Sequence, residues 1–317
     1  MNWITDRFKR LKPKIKNLFR VKIGPDGKLW ESCKCGAVIY KQDLKENLFV
    51  CPKCSDHHRL AAPERLSIFF DDGQYTEIEY LIGKDDPLNF VDTKSLKRRI
   101  DEARQDTNQI ESIIVAEGKL NNIDIVCGAQ SFSFIGGSLS PNAGEFFVQG
   151  CNVALQKQKP MVMFWASGGI QVQTSLFGLN NMPKCISAIN DLNKAGIPFI
   201  SVFTNPVAGG VTCIALLGDI NIAEPKCVIS FAGRRVIEQN LREKLPENFQ
   251  SSEWAFGIGL IDIVCERKDL RKTISTLLSQ MNNKNKTFLS DSQIINEQQQ
   301  SPIGSFGSID PISKTSP

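Results

Sequence analysis

From Ala61 to about Met281 the chain alternates short apolar runs with amphipathic stretches of helical character. Ile123 to Cys127, Met161 to Trp165, Phe199 to Phe203 and Cys227 to Phe231 have the length and apolar density of strands, whereas Ala188 to Ala195 and Val211 to Leu217 read as helices. The alternation predicts an α/β domain. One unit recurs without close repetition: an apolar strand, a glycine turn, then a helix. The turns are Gly136-Gly137-Ser138, Ser167-Gly168-Gly169, Gly209-Gly210-Val211 and Gly233. A glycine permits backbone conformations closed to other residues, and a helix that starts there offers unpaired N–H groups and the positive end of its dipole. Such a turn can hold a negatively charged oxygen, and it can equally be a tight connection with no ligand. Several at the same point of the unit favour a site. Gly196 and Gly218, by contrast, read as ordinary helix stops.

Outside this region the pattern changes twice. Residues 29–60 are cysteine-rich, and beyond residue 281 the chain turns rich in Asn, Gln, Ser and Lys, which predicts a disordered tail over 282–317. Residues 1–28 form a basic arm with nine Lys or Arg against Asp6 and Asp26. The arm could touch nucleic acid or an acidic partner, although a charge run is more often simply solvated. With 317 residues, 41% of them hydrophobic, the chain can bury one large domain and one small one. No apolar stretch approaches the roughly 20 residues that cross a bilayer. No secretory signal opens the chain, so it reads as cytoplasmic.

The ten cysteines then read as thiols rather than disulfides. Cys127, Cys151, Cys185, Cys213, Cys227 and Cys265 lie in apolar surroundings and read as small buried hydrophobes. Cys33, Cys35, Cys51 and Cys54 are different. They form two close pairs separated by a hairpin-length segment, the spacing of a zinc ribbon. Cys33-Lys34-Cys35 is one residue short of C-x-x-C, which leaves a lost ligand or a metal-free remnant as the other reading. His57 and His58, the only histidines, read as polar surface residues.

The large domain therefore contains no histidine base. Trp165-Ala166-Ser167-Gly168-Gly169 lacks the first glycine of a nucleophile elbow, and no histidine follows it to complete a triad. Gly136-Gly137-Ser138-Leu139-Ser140 is not followed by the Gly-Lys of a phosphate loop. The domain is rich in potential oxyanion turns and poor in general bases.

The segments Asn47 to Cys54 with His57-His58, Gly136-Gly137-Ser138, Ala166 to Gly169, Ala208 to Val211, Leu217 to Asp219, Ile222 to Pro225 and Phe231 to Gln239 with Arg242 to Pro246 resemble the carboxyltransferase beta subunits of multisubunit acetyl-CoA carboxylases. The resemblance runs from Met1 to about Met281. It implies a crotonase-like (ClpP/crotonase) carboxyltransferase domain over 61–281 behind an N-terminal zinc ribbon. It also implies transfer of a carboxyl group from carboxybiotin to acetyl-CoA, giving malonyl-CoA for fatty acid synthesis. The implied partners are a carboxyltransferase alpha subunit, a biotin carboxyl carrier protein and biotin carboxylase; the cofactors are Zn2+ and the carrier's biotin. Gly209-Gly210 match the glycines that stabilise enolate oxygens, with Gly168-Gly169 and Gly136-Gly137 toward the acyl-CoA. The ureido group left when CO2 departs can take the acetyl proton, so no side-chain base is required.

Three segments depart from the family pattern: Ile170 to Thr174, where a cation is missing at Gln171; Leu139 to Gly144, which includes Ser140; and Val207-Ala208 ahead of Gly209. If Gln171 replaces a phosphate-binding cation, Gln171→Arg should tighten acetyl-CoA binding. The departures leave open a catalytically degenerate assembly subunit, and the basic arm with the ribbon leaves open a nucleic-acid-binding protein.

Overall fold

The computed structural model describes residues 29–281; the basic arm and the expected tail lie outside the described residues. The chain begins with an antiparallel pair, β1 (Trp30–Ser32) and β2 (Val38–Tyr40), and a short α1 (Lys41–Glu46). After α2 (Ala62–Phe69) come β3 (Tyr75–Glu77), α3 (Leu96–Thr107), β4 (Ile113–Leu120) and β5 (Ile123–Gln130). Then follow α4 (Pro141–Lys157), β6 (Met161–Ser167), α5 (Leu176–Leu179), α6 (Asn181–Lys194), β7 (Phe199–Ala208) and α7 (Gly210–Ala215). The order closes with β8 (Ile220–Ala223), β9 (Ile229–Ser230), α8 (Arg234–Leu241), α9 (Ser252–Gly257), β10 (Ile263–Val264) and a helix α10 over residues 267–281.

Strands β10-β8-β7-β6-β5-β4-β3 form one sheet, and β9 pairs with the far end of β7. The β3-β4-β5 pairs are antiparallel, while β5 through β8 and β10 run parallel. A sheet covered on both faces needs strands that are apolar at every position. β6 meets this condition, since all seven of its residues are buried. Met161, Met163 and Trp165 point into the core under α4 and α6. Val162 and Phe164 point to the opposite core under α2 and α10. The period of two along a strand assigns these faces.

The parallel strands end on one side, and the glycine turns lie there. Helix α4 begins next to the first turn because Ser140 caps it, its hydroxyl accepting from the Ala143 N–H at 3.0 Å, with Pro141 as the first helical residue. No helix among the described residues is long and apolar enough to cross a membrane.

Candidate active site and metal centre

Two knuckles shape the ribbon. Gly36, at φ +82°, returns the chain after Cys35 so that the Cys33 N–H reaches the Ala37 carbonyl at 2.8 Å. The Cys51 N–H donates to Asp56 O at 2.8 Å. All four Sγ atoms lie within 4.8 Å of one another, with Cys33 to Cys54 at 3.6 Å and Cys35 to Cys51 at 3.9 Å. A tetrahedral zinc with Zn–S bonds of about 2.3 Å requires S···S edges of about 3.8 Å. The four thiols therefore fit zinc, and the short Cys33-Lys34-Cys35 pair is accommodated by the turn at Gly36. Burial raises the Cys51 thiol, but hydrogen bonds from the Cys54 and Lys53 N–H groups outweigh it and bring it down to about 7. A second donor group, Cys33 with Asp56 and His58, shares Cys33, and its Asp56 is already paired with Lys34.

The ribbon is tied to the large domain by a buried ionic network. Glu224, just past the end of β8, accepts from Arg65 Nη1 at 2.7 Å and from Arg267 Nε and Nη2 at 2.8 and 2.7 Å. Arg267 also donates to the carbonyls of Leu48 (2.9 Å) and His58 (3.0 Å) in the ribbon. His57 Nε2 meets Glu266 at 2.8 Å, and its Nδ1 lies 3.4 Å from Glu224. Burial alone would raise the Glu224 carboxyl; Arg65 and Arg267 instead hold it well below the usual carboxylate range. Two sequence expectations are corrected here. His57 is buried rather than a surface residue, because two carboxylates receive its ring. Cys213 is exposed on the outer side of α7, unlike the other five thiols read as buried.

Three glycine pairs meet at the ends of β5, β6 and β7. The Gly168 N–H donates to Gly136 O at 2.8 Å, and the Leu139 N–H to Gly169 O at 2.9 Å. A Cβ on Gly209, at φ +63°, would lie 3.0 Å from the Gly169 Cα, so the second and third turns touch backbone to backbone. Most of the amides are engaged within the protein. Gly137 donates to Phe134 O (2.9 Å), Gly169 to Ser167 Oγ (3.0 Å) and Gly209 to Ser230 O (3.0 Å). Among the described residues the N–H groups of Gly210 and Val211, at the start of α7, have no acceptor. With the Gly136 N–H, which also has no acceptor, these are donors the turns can offer to an anionic oxygen.

The departures take structural roles. Ser140 caps α4 and donates to the buried Glu111 at 2.6 Å, and Val207 is fully buried in the core. Gln171 is only 2% exposed, and its Oε1 has no hydrogen-bond partner. An arginine there would have to be buried, which weighs against its reaching a phosphate. Sequence reasoning missed Arg65, Glu224 and Arg267. Glu224 alone carried a local hint, following the apolar run Ile222-Ala223, since a charge in a buried run must be paired. A cleft of about 660 Å3 between α4, α6 and residues 79–87 is lined by none of the six site glycines.

A crotonase-like α/β domain behind a four-cysteine ribbon is the architecture of a carboxyl transferase domain. Residues 56–316 match the carboxyl transferase domain family, and residues 32–54 match the acetyl-CoA carboxylase zinc finger domain. The chain belongs to the carboxyl transferase domain family. Solved structures of like fold include transcarboxylase 12S with methylmalonyl-coenzyme A bound, at 21% identity and TM-score 0.54, over 69% of this chain and 41% of that one. A Pseudomonas malonate decarboxylase hetero-tetramer in complex with malonate matches at 21% identity and TM-score 0.56, over 70% of this chain and 82% of that one. The beta subunit of P. aeruginosa geranyl-CoA carboxylase matches at 15% identity and TM-score 0.51, over 69% and 43%. The chain thus spans about two fifths of the length of the transcarboxylase and geranyl-CoA carboxylase chains.

Proposed function

We propose that the chain is the beta subunit of a multisubunit acetyl-CoA carboxylase carboxyltransferase. In the cytoplasm it would move a carboxyl group from the carboxybiotin of a biotin carboxyl carrier protein to acetyl-CoA, giving malonyl-CoA, with biotin carboxylase recharging the carrier. The observation that carries this reading is the pair of unpartnered amides on Gly210 and Val211, beside the Gly168-Gly169 turn.

Deprotonating the acetyl methyl places negative charge on the thioester oxygen. The Gly210 N–H donates to that oxygen, with Gly209 shaping the turn, and each such donor supplies about 2.7–4 kcal/mol of transition-state stabilisation. Gly168-Gly169 and Gly136-Gly137 line the approach of the acyl-CoA, where bare backbone lets the thioester lie close. Carboxybiotin supplies the activated carboxyl group and the base. The four ribbon thiols hold zinc, which fixes the small module where it has little core of its own.

The apolar residues just past Gly169 support a partner. Val172 is 79% exposed and Leu176 73%, and Phe177 and Leu179 are exposed with them. An alpha subunit seated there would cover them and complete the site. The test is malonyl-CoA formation by the full chain with and without an alpha subunit, supplied with carboxybiotinylated carrier and acetyl-CoA. Activity is expected only with the alpha subunit. An assembled complex that forms no malonyl-CoA overturns the proposed reaction, and full activity from the chain alone overturns the need for a partner.

A further inference from the structure

The segment joining ribbon to domain, residues 57–62, is pinned at both ends. His57 is held by Glu266, and the His58 carbonyl by Arg267. The Ala62 N–H donates to Ser131 Oγ at 2.6 Å. Arg59 lies between these anchors. Its Nε donates to Asn205 O at 3.2 Å, and its guanidinium carbon stacks 4.1 Å above the centre of the Phe132 ring. Among the described residues neither Nη atom has a hydrogen-bond or carboxylate partner. A guanidinium fixed through one nitrogen and one face, with both terminal nitrogens unspent, is preorganised for a planar anionic group.

Two further observations place that anion. Phe132 reaches the glycine turns: its Cε2 would lie 4.0 Å from a Cβ on Gly168, beside Gly136 O at 3.4 Å. Arg59 therefore sits one aromatic ring away from the second turn. The crevice beneath it, between the ribbon and the ends of β6, β7 and β8, is lined by Arg59, Arg65 and Arg267 against a single carboxylate, Glu224. Glu224 is already shared by the two buried arginines. The crevice holds only about 10 Å3, so it admits one water at most, and an anion would rest on its rim against Arg59. Positive charge set in such a low-dielectric seam concentrates potential at its mouth.

We infer that Arg59 binds a phosphate of the acyl-CoA, reaching it from the ribbon side of the glycine turns. This inference rests on the acyl-CoA reading above and adds to it a role for the ribbon junction. Gln171 lies buried in the Gly169 turn, whereas Arg59 approaches the same turns from the ribbon side with its terminal nitrogens available.

The test is calorimetric titration of the full-length zinc-loaded chain assembled with an alpha subunit, using coenzyme A, 3′-dephospho-coenzyme A and pantetheine, for wild type, Arg59→Gln and Arg59→Lys. Zinc content and melting temperature serve to check that each variant is folded. Wild type should bind coenzyme A roughly tenfold or more tightly than pantetheine, from charge-assisted hydrogen bonds to phosphate. Arg59→Gln should remove that advantage and its salt sensitivity while leaving pantetheine binding unchanged, and Arg59→Lys should restore only part of it. Retention by 3′-dephospho-coenzyme A assigns the pyrophosphate; loss assigns the 3′-phosphate. Equal binding of coenzyme A by wild type and Arg59→Gln overturns the inference and leaves the proposed reaction standing. An assembled wild-type complex that binds neither coenzyme A nor pantetheine overturns the acyl-CoA reading itself.

Discussion

Gly136-Gly137 and Gly209-Gly210 look alike in the sequence, each a glycine pair between an apolar strand and a helix. Their backbones are used differently. Gly137 donates its N–H to Phe134 O, and its carbonyl accepts from Gln130 Nε2 at 2.7 Å and Ser167 Oγ at 2.6 Å. At φ +61° a Cβ on Gly137 would overlap the Ala166 carbonyl oxygen. It is a packing glycine that lets the first turn lie on β6. Among the described residues each pair leaves one amide without an acceptor, Gly136 in the first and Gly210 in the second, but only Gly210 stands at the start of an α-helix. A glycine pair thus marks a backbone that needs freedom, and whether it becomes a site depends on which acceptors the rest of the chain brings to its amides.

The largest expected effect breaks the packing side of this comparison. Gly137→Ala should cost more than about 4 kcal/mol in denaturant unfolding, because neither the Ala166 carbonyl nor the strand behind it can retreat without breaking the sheet. A loss under about 1 kcal/mol would show that the first turn is as loosely packed as an open site.

Next comes the seam that holds the ribbon against the turns. Glu224→Ala leaves Arg65 and Arg267 buried without a counterion and should cost about 3–5 kcal/mol, with the ribbon resonances or zinc affinity changing first. The carboxyl of Glu224 is held well below its ordinary range, so its contribution is present above the unfolded-state pKa and is lost only as pH falls through the depressed folded-state value. Wild-type stability should therefore fall more steeply with acid than that of Glu224→Ala. Parallel acid limbs for the two proteins would mean the network is not ionised as described.

On the functional side, Gly210→Val keeps the N–H but sets a branched side chain beside it; if that displaces the oxyanion from this donor, turnover of the assembled enzyme should fall by roughly two to three orders of magnitude. A Cβ there meets the Cγ1 of Ile170 at 2.9 Å and the Sδ of Met182 at 3.2 Å. Those are ends of flexible side chains, so folding should survive. Unchanged turnover in a folded, assembled variant would reduce Gly209-Gly210 to a turn like the first.

The strand and turn units were readable because parallel strands must be apolar throughout: Met161 to Trp165 lies in β6, Phe199 to Phe203 in β7 and Ile123 to Cys127 in β5. The ribbon was readable because four thiols at that spacing have few other uses. Cys227 to Phe231 gave only the two-residue β9, since the run ends at the turn before α8. The Glu224 network could not be read. Its members are 43 and 159 residues apart, and nothing local in Arg65 or Arg267 distinguishes a buried arginine from a solvated one. His57 was missed for the same reason, since its partners lie at positions 224 and 266. Arg59 became visible only when the fold laid it over Phe132.

The smallest effect sharpens the comparison inside the first pair. Gly136 has φ +66° and ψ 21°, left-handed like Gly137, yet a Cβ there would meet nothing within 4 Å. Conformation alone then sets the stability cost of Gly136→Ala, about 1 kcal/mol for a non-glycine residue in that region. The open space beside it is where the acyl-CoA is proposed to pass. A methyl group in that path should raise the KM for acetyl-CoA while kcat holds, because it removes room for substrate without touching the Gly210 donor. Gly136→Ala and Gly137→Ala should therefore separate cleanly, the first in KM with a minor loss of stability, the second in stability before any kinetics can be measured. If Gly136→Ala leaves KM unchanged, the first turn contributes only packing, and the acyl-CoA approaches from the Gly168-Gly169 side alone.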